Sequence, residues 1–145
     1  METRERLIEL IKKQIEIEEN NVRQVSETEK KIDNAAAKMS LLEIQLDSQK
    51  HADILNGILE VLRGVPPSKT LWEYRIESYI DPFVVKRELE SHIKREDEML
   101  DHVEKEIKQT KDEGLKLLLQ HIADDERKHH DILEAIVKHL HKINL

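Results

Sequence analysis

The sequence predicts an all-α protein, an antiparallel four-helix bundle made of two helical hairpins joined by a long crossover. Its 145 residues include only 3 glycines and 3 prolines, so turns are few and the elements must be long. Aromatic residues make up 3%, which argues against a β-sandwich or barrel. Apolar residues recur every three or four positions over long stretches, the period of an amphipathic helix.

Polar and proline-containing breaks divide the chain into four helices. Asn34 and Asp81 are suited to cap helix N-termini, and Pro82 suits a first helical position. All three prolines lie in or next to the crossover, residues 63–81. The predicted helices are near 3–31, 35–62, 82–110 and 113–142.

The crossover is expected to carry a short helix near 70–79. Its Trp72, Tyr74 and Tyr79 are predicted to pack or to contact another subunit. We therefore expect a homodimer or a larger homo-oligomer. The two hairpins, about 3–62 and 82–142, are expected to form a single domain over residues 1–145.

Composition excludes several classes of function. There is no cysteine, so disulfides, thiol chemistry and Cys-ligated metal centres are excluded. A net charge of −7 predicts no nucleic-acid partner and no attraction to an anionic membrane. No run approaches the roughly 18 apolar residues of a membrane span, and no signal peptide is visible. A cytoplasmic location is expected.

The apolar stripe of each helix is interrupted by polar residues near its middle, which is the most informative feature of the sequence. These residues are Glu18 in the first helix, Ser48 and His51 in the second, Glu96 in the third, and Glu126 and His129 in the fourth. Ionised carboxylates in a helix interface must be paired, protonated or bound to a metal. No Lys or Arg shares these stripe positions, so a metal ion is the candidate cation. Ligands without sulfur suit iron, manganese or zinc.

An internal repeat supports this interpretation. Residues 15–62 align with 93–140 without a gap, at an offset of 78, with 15 identities in 48 positions. About four would be expected by chance at this composition. Shared helical patterning explains the apolar matches, but it does not require the matches of Glu18 with Glu96 and His51 with His129.

With these residues the sequence resembles the ferritin-like di-iron carboxylate proteins, which include ferritins, bacterioferritins and rubrerythrins. That family takes one Glu from each of helices one and three, and Glu-x-x-His from each of helices two and four. The resemblance implies Glu18 and Glu96 as terminal ligands, Glu126 as a bridge, and His51 and His129 as one imidazole for each ion. It also implies Fe(II) oxidation coupled to reduction of oxygen or peroxide.

One position departs from the family pattern, because Ser48 stands where the second helix should carry its Glu. Five of six ligands remain. A di-metal site completed by water, a single-metal site and a remnant site are all compatible with this set. His92, one turn before Glu96, is a further candidate ligand or neighbour. The alternative function is a non-catalytic structural or interaction protein with a vestigial metal site.

Overall fold

Four long helices account for most of the chain. The computed structural model describes residues 2–75 and 81–142, and this part of the chain contains no β-strand. The helices are α1 Glu2–Glu29, α2 Ala35–Leu62, α3 Pro82–Gln109 and α4 Glu113–Lys142. The predicted all-α class is confirmed, and the predicted helix ends are correct to within two residues.

The helices pack as two hairpins, α1 with α2 and α3 with α4. Each hairpin lies in its own compact unit, Met1–Leu71 or Trp72–Leu145. In the first, Asn21 bonds Ser48, while Arg4, near the start of α1, donates to the Val65 carbonyl beyond the end of α2. This order of contacts makes the pair antiparallel. The two predicted hairpins are confirmed, and the single domain stays a prediction.

The helix caps follow the same internal repeat as the helices. The Asn34 side chain accepts a hydrogen bond from the Ala37 amide at the start of α2, at 3.0 Å. At the equivalent positions of α4, 78 residues later, the Asp112 side chain accepts one from the Leu115 amide at 3.2 Å. Both bonds satisfy an amide that lacks a partner in the first helical turn. The predicted Asp81 cap of α3 is also formed.

Small residues determine where the second helix of each hairpin contacts the first. Ala52 is 1% exposed and Ala123 is fully buried, and side chains of this size let two helices approach closely. Ile44 and Ile122, which belong to the predicted stripes, are both exposed. The buried residues of α2, Ser48 and Ala52, lie one turn apart, and Ser48 belongs to the predicted stripe.

The described part of the crossover is a turn rather than a helix. Residues 70–75 do not form the start of the predicted short helix, and residues 76–80, which include Tyr79, lie outside the described residues. Trp72 stacks on His139 of α4, with ring centroids 4.2 Å apart and planes 8° from parallel. Trp72 therefore has a packing partner in its own chain. Within the described ranges, no helix has both the length and the hydropathy that crossing a membrane requires.

Candidate metal centre

Three of the predicted ligands meet in the second hairpin. Glu96 lies on α3, and Glu126 and His129 lie one turn apart on the facing side of α4. One ligand atom from each lies within 4.8 Å of the other two. The Nδ1 atom of His129 is 3.6 Å from Glu96 Oε2 and 3.6 Å from Glu126 Oε1. The imidazole thus stands next to two carboxylates from different helices.

The two carboxylates of this cluster are largely buried, and each lacks a hydrogen-bond partner for one of its oxygens. The side chains of Glu96 and Glu126 are 15% and 13% exposed, whereas His129 is about half exposed. The Oε2 atom of each carboxylate is buried and has no hydrogen-bond partner. A buried, unpaired carboxylate oxygen is costly unless a cation or a proton compensates it. These oxygens and the imidazole are the donor types that suit iron, manganese or zinc, so the residues fit a metal.

The like charges of the cluster also change its protonation. Burial raises the pKa of the Glu126 carboxyl, and the hydrogen bond and negative charge of Glu96 raise it further. The charge of His129 acts in the opposite direction but does not outweigh these effects. These effects disfavour the ionised form of Glu126, which a bound cation would favour.

In the first hairpin, the remaining predicted ligands form a closer pair. Glu18 Oε2 and His51 Nδ1 are 2.8 Å apart, a hydrogen bond between α1 and α2. Glu18 is 14% exposed, nearly the same as Glu96. The pair of Glu18 with His51 is the repeat equivalent of Glu96 with His129, and both use the Nδ1 atom. The repeat seen in the sequence therefore extends to the geometry of the polar residues.

The first hairpin has different residues at the positions equivalent to Glu126 and Met99. Ser48 is buried, at 5% exposed, and its hydroxyl accepts a hydrogen bond from the Asn21 amide at 2.9 Å. Sequence reasoning did not select Asn21. The available signal was its position, because Asn21 lies one turn after Glu18 and aligns in the repeat with Met99. The first hairpin therefore has the hydrogen-bonded pair Asn21 and Ser48 where the second hairpin has the thioether of Met99 and the carboxylate of Glu126.

Each predicted ligand is therefore next to another predicted ligand of its own hairpin. Their assignment as metal ligands stays a prediction. His92 lines a groove of about 370 Å³ on the second hairpin, together with Glu96 and His129. Arg95 and Met99 also line this groove.

Replacing Glu126 by Gln is expected to stabilise the metal-free protein. The change removes one of two facing negative charges, so the free energy of unfolding should rise by roughly 1–3 kcal/mol at neutral pH. The gain should shrink as the pH falls below the raised pKa of Glu126, because the wild-type carboxyl is then protonated and uncharged. Urea unfolding in the presence of a chelator measures the effect.

The matched control for that variant is Glu113→Gln on the same helix. The Glu113 side chain is 87% exposed, so its replacement should change stability by no more than about 0.5 kcal/mol. If the Glu126→Gln protein were no more stable than wild type, repulsion between Glu96 and Glu126 would not destabilise the metal-free protein, and this interpretation of the cluster would be wrong.

Comparison with known proteins agrees with the geometry of the site. Searches of curated proteins and of solved structures gave no significant match. The family model described as Rubrerythrin matches residues 2–137, which includes all five predicted ligands. Because the match spans nearly the whole chain, the protein belongs to the rubrerythrin family, within the ferritin-like di-iron carboxylate superfamily.

Proposed function

We propose that this protein binds iron and couples the oxidation of Fe(II) to the reduction of oxygen or peroxide. Family membership and the cluster of Glu96, Glu126 and His129 support a ferritin-like metal-binding protein. The observation that carries the proposal is the pair of buried carboxylate oxygens without a hydrogen-bond partner. Iron is the metal we favour, with manganese and zinc as the alternatives that the same donor set accepts.

The sequence predicts five ligands, Glu18 and His51 in the first hairpin and Glu96, Glu126 and His129 in the second. The three in the second hairpin, which come together, are those we propose to hold the ion. Carboxylates favour a higher oxidation state of a bound metal, because their negative charge compensates the added positive charge. Bound iron would supply the one-electron chemistry between Fe(II) and Fe(III). The residues themselves hold the ion, neutralise its charge and keep an imidazole at the solvent side of the carboxylates.

The second hairpin offers a small molecule a route to these residues. The groove beside Glu96 and His129 has a volume of about 370 Å³, far larger than oxygen or peroxide requires. His129 is 46% exposed, so the imidazole edge of the cluster is open to solvent, whereas the carboxylates are not. Oxygen or peroxide could in this way reach the imidazole edge of the cluster, while the carboxylates stay largely buried.

Electrons for this reaction have to come from iron supplied as substrate or from a separate donor. The chain contains no cysteine, so it holds no Cys-ligated iron of its own. Association into a homodimer or larger assembly, and a cytoplasmic location, stay predictions from the sequence.

The proposed function is tested by adding peroxide to the protein under anaerobic conditions, with Fe(II) in excess as substrate. Each peroxide molecule takes up two electrons and two protons and yields two water molecules, so two Fe(II) should be oxidised for each peroxide consumed. We expect oxidation faster than in protein-free buffer, and equally fast with the Glu113→Gln control. A rate equal to that of free iron would contradict the catalytic proposal and favour a structural or interaction protein.

A further inference from the structure

We propose that the chain retains a single metal ion, held by the second hairpin alone, and that the equivalent place in the first hairpin is closed by a hydrogen bond. The inference rests on the proposed metal-binding function and goes further, because it assigns unequal roles to the two halves of the repeat. The family pattern supplies equivalent ligands from both halves. In this chain the two halves differ at two aligned positions, so they no longer supply equivalent ligands.

In the first hairpin, the polar groups already have partners within the hairpin. The Asn21 amide donates to the Ser48 hydroxyl at 2.9 Å, and Glu18 bonds His51 at 2.8 Å. A metal ion here would have to separate Glu18 from His51 and would gain only one carboxylate and one imidazole. Buried polar groups that are already satisfied gain little from a new partner.

In the second hairpin, the same positions leave carboxylate oxygens without partners. Met99 replaces Asn21, and a thioether cannot donate a hydrogen bond to the neighbouring carboxylate. Glu126 replaces Ser48, and its Oε2 atom and that of Glu96 are both buried without a hydrogen-bond partner. A cation here would break no hydrogen bond of the His129 Nδ1 atom, which is 3.6 Å from each carboxylate, and would take the place of the hydrogen bond between Glu96 and Glu126.

The two hairpins therefore differ in ligand number and in what binding must disrupt. The second offers two carboxylates and an imidazole whose ligand atoms already lie within 4.8 Å of one another. The first offers one of each, and they are bonded to one another. Both differences favour the second hairpin, and the difference in ligand number follows from the exchange of Ser48 for Glu126.

The test compares two repeat-equivalent variants, Glu18→Gln and Glu96→Gln, in an anaerobic Co(II) titration with equilibrium dialysis. The visible spectrum of bound Co(II) reports the ligand environment independently of any activity. We expect about one tightly bound Co(II) per wild-type chain. Glu18→Gln should keep that ion with an affinity within about twofold of wild type, since independent sites behave additively. Glu96→Gln should lower the affinity by at least about 100-fold.

Two results would overturn the inference. Two tightly bound Co(II) ions per wild-type chain would show that both halves of the repeat hold metal, and equal losses in the two variants would show a shared ligand set. Both results would leave the proposed metal-binding function intact. If the wild type retained no Co(II), Mn(II) or Zn(II), the proposed function itself would fail, and this inference with it.

Discussion

Replacing Glu126 and His129 together by alanine is expected to lower the affinity for Fe(II) or Co(II) by at least about 100-fold. The two side chains supply two of the three ligands that meet in the second hairpin. Loss of residues that only support a metal ligand typically costs 10–100-fold in affinity, so the loss of two direct ligands should cost more. Anaerobic titration followed by equilibrium dialysis measures the change.

The matched control for this double variant removes one carboxylate and one imidazole from positions beside the proposed site. Asp97 and His130 are next to Glu96 and His129 in sequence and form their own pair between α3 and α4, 3.1 Å apart. The double variant Asp97→Ala/His130→Ala should keep its metal affinity within about twofold of wild type. If this control lost the metal as fully as the site variant, the loss would have to be attributed to the hairpin and not to the ligands.

Restoring the missing carboxylate is expected to add a second metal ion. The double variant Asn21→Met/Ser48→Glu gives the first hairpin the residues that the second hairpin has at equivalent positions. It should raise the retained metal from about one to about two ions per chain. Because Ser48 is buried, the new carboxylate should lower the metal-free stability by roughly 1–3 kcal/mol. Metal at 100 times its dissociation constant should return about 2.7 kcal/mol.

A variant with an uncharged side chain of similar size at position 48 tests whether the charge or the size of the new side chain controls the second site. The double variant Asn21→Met/Ser48→Gln has nearly the same volume but no negative charge, so it should retain one ion, as wild type does. Retention of two ions by the Gln protein would show that side-chain size, and not the carboxylate, controls the second site. Equal destabilisation of the Glu protein with and without metal would show that the first hairpin is a packed polar layer.

The fold could be predicted almost completely because the signals that determine it are local. Helix length follows from apolar periodicity, and the ends follow from caps such as Asp81, which bonds the amide of the second residue of α3. The repeat aligns Glu18 and His51 with Glu96 and His129, and the structure places the two pairs alike, with His51 Nδ1 2.8 Å from Glu18 and His129 Nδ1 3.6 Å from Glu96.

Other features could not be read from the pattern, for physical reasons. Periodicity identifies a stripe of apolar residues but not which edge of the stripe contacts the neighbouring helix. Ile44 and Ile122 belong to the predicted stripes but are exposed, whereas Ala52 and Ala123 are buried. A hydrogen bond between helices depends on their register, which one sequence does not give. The bond of Asn21 to Ser48 could be found only from the structure.

The most direct test of the central claim is the metal content of the wild-type protein after anaerobic loading with Fe(II) and desalting. Elemental analysis should find about one iron per chain, because a cation would stabilise the buried oxygens of Glu96 and Glu126 that lack a hydrogen-bond partner. Near-zero iron, with manganese and zinc also absent after parallel loading, would contradict the claim. The carboxylates and imidazoles would then be a structural layer that holds each hairpin in register, and no metal would be involved.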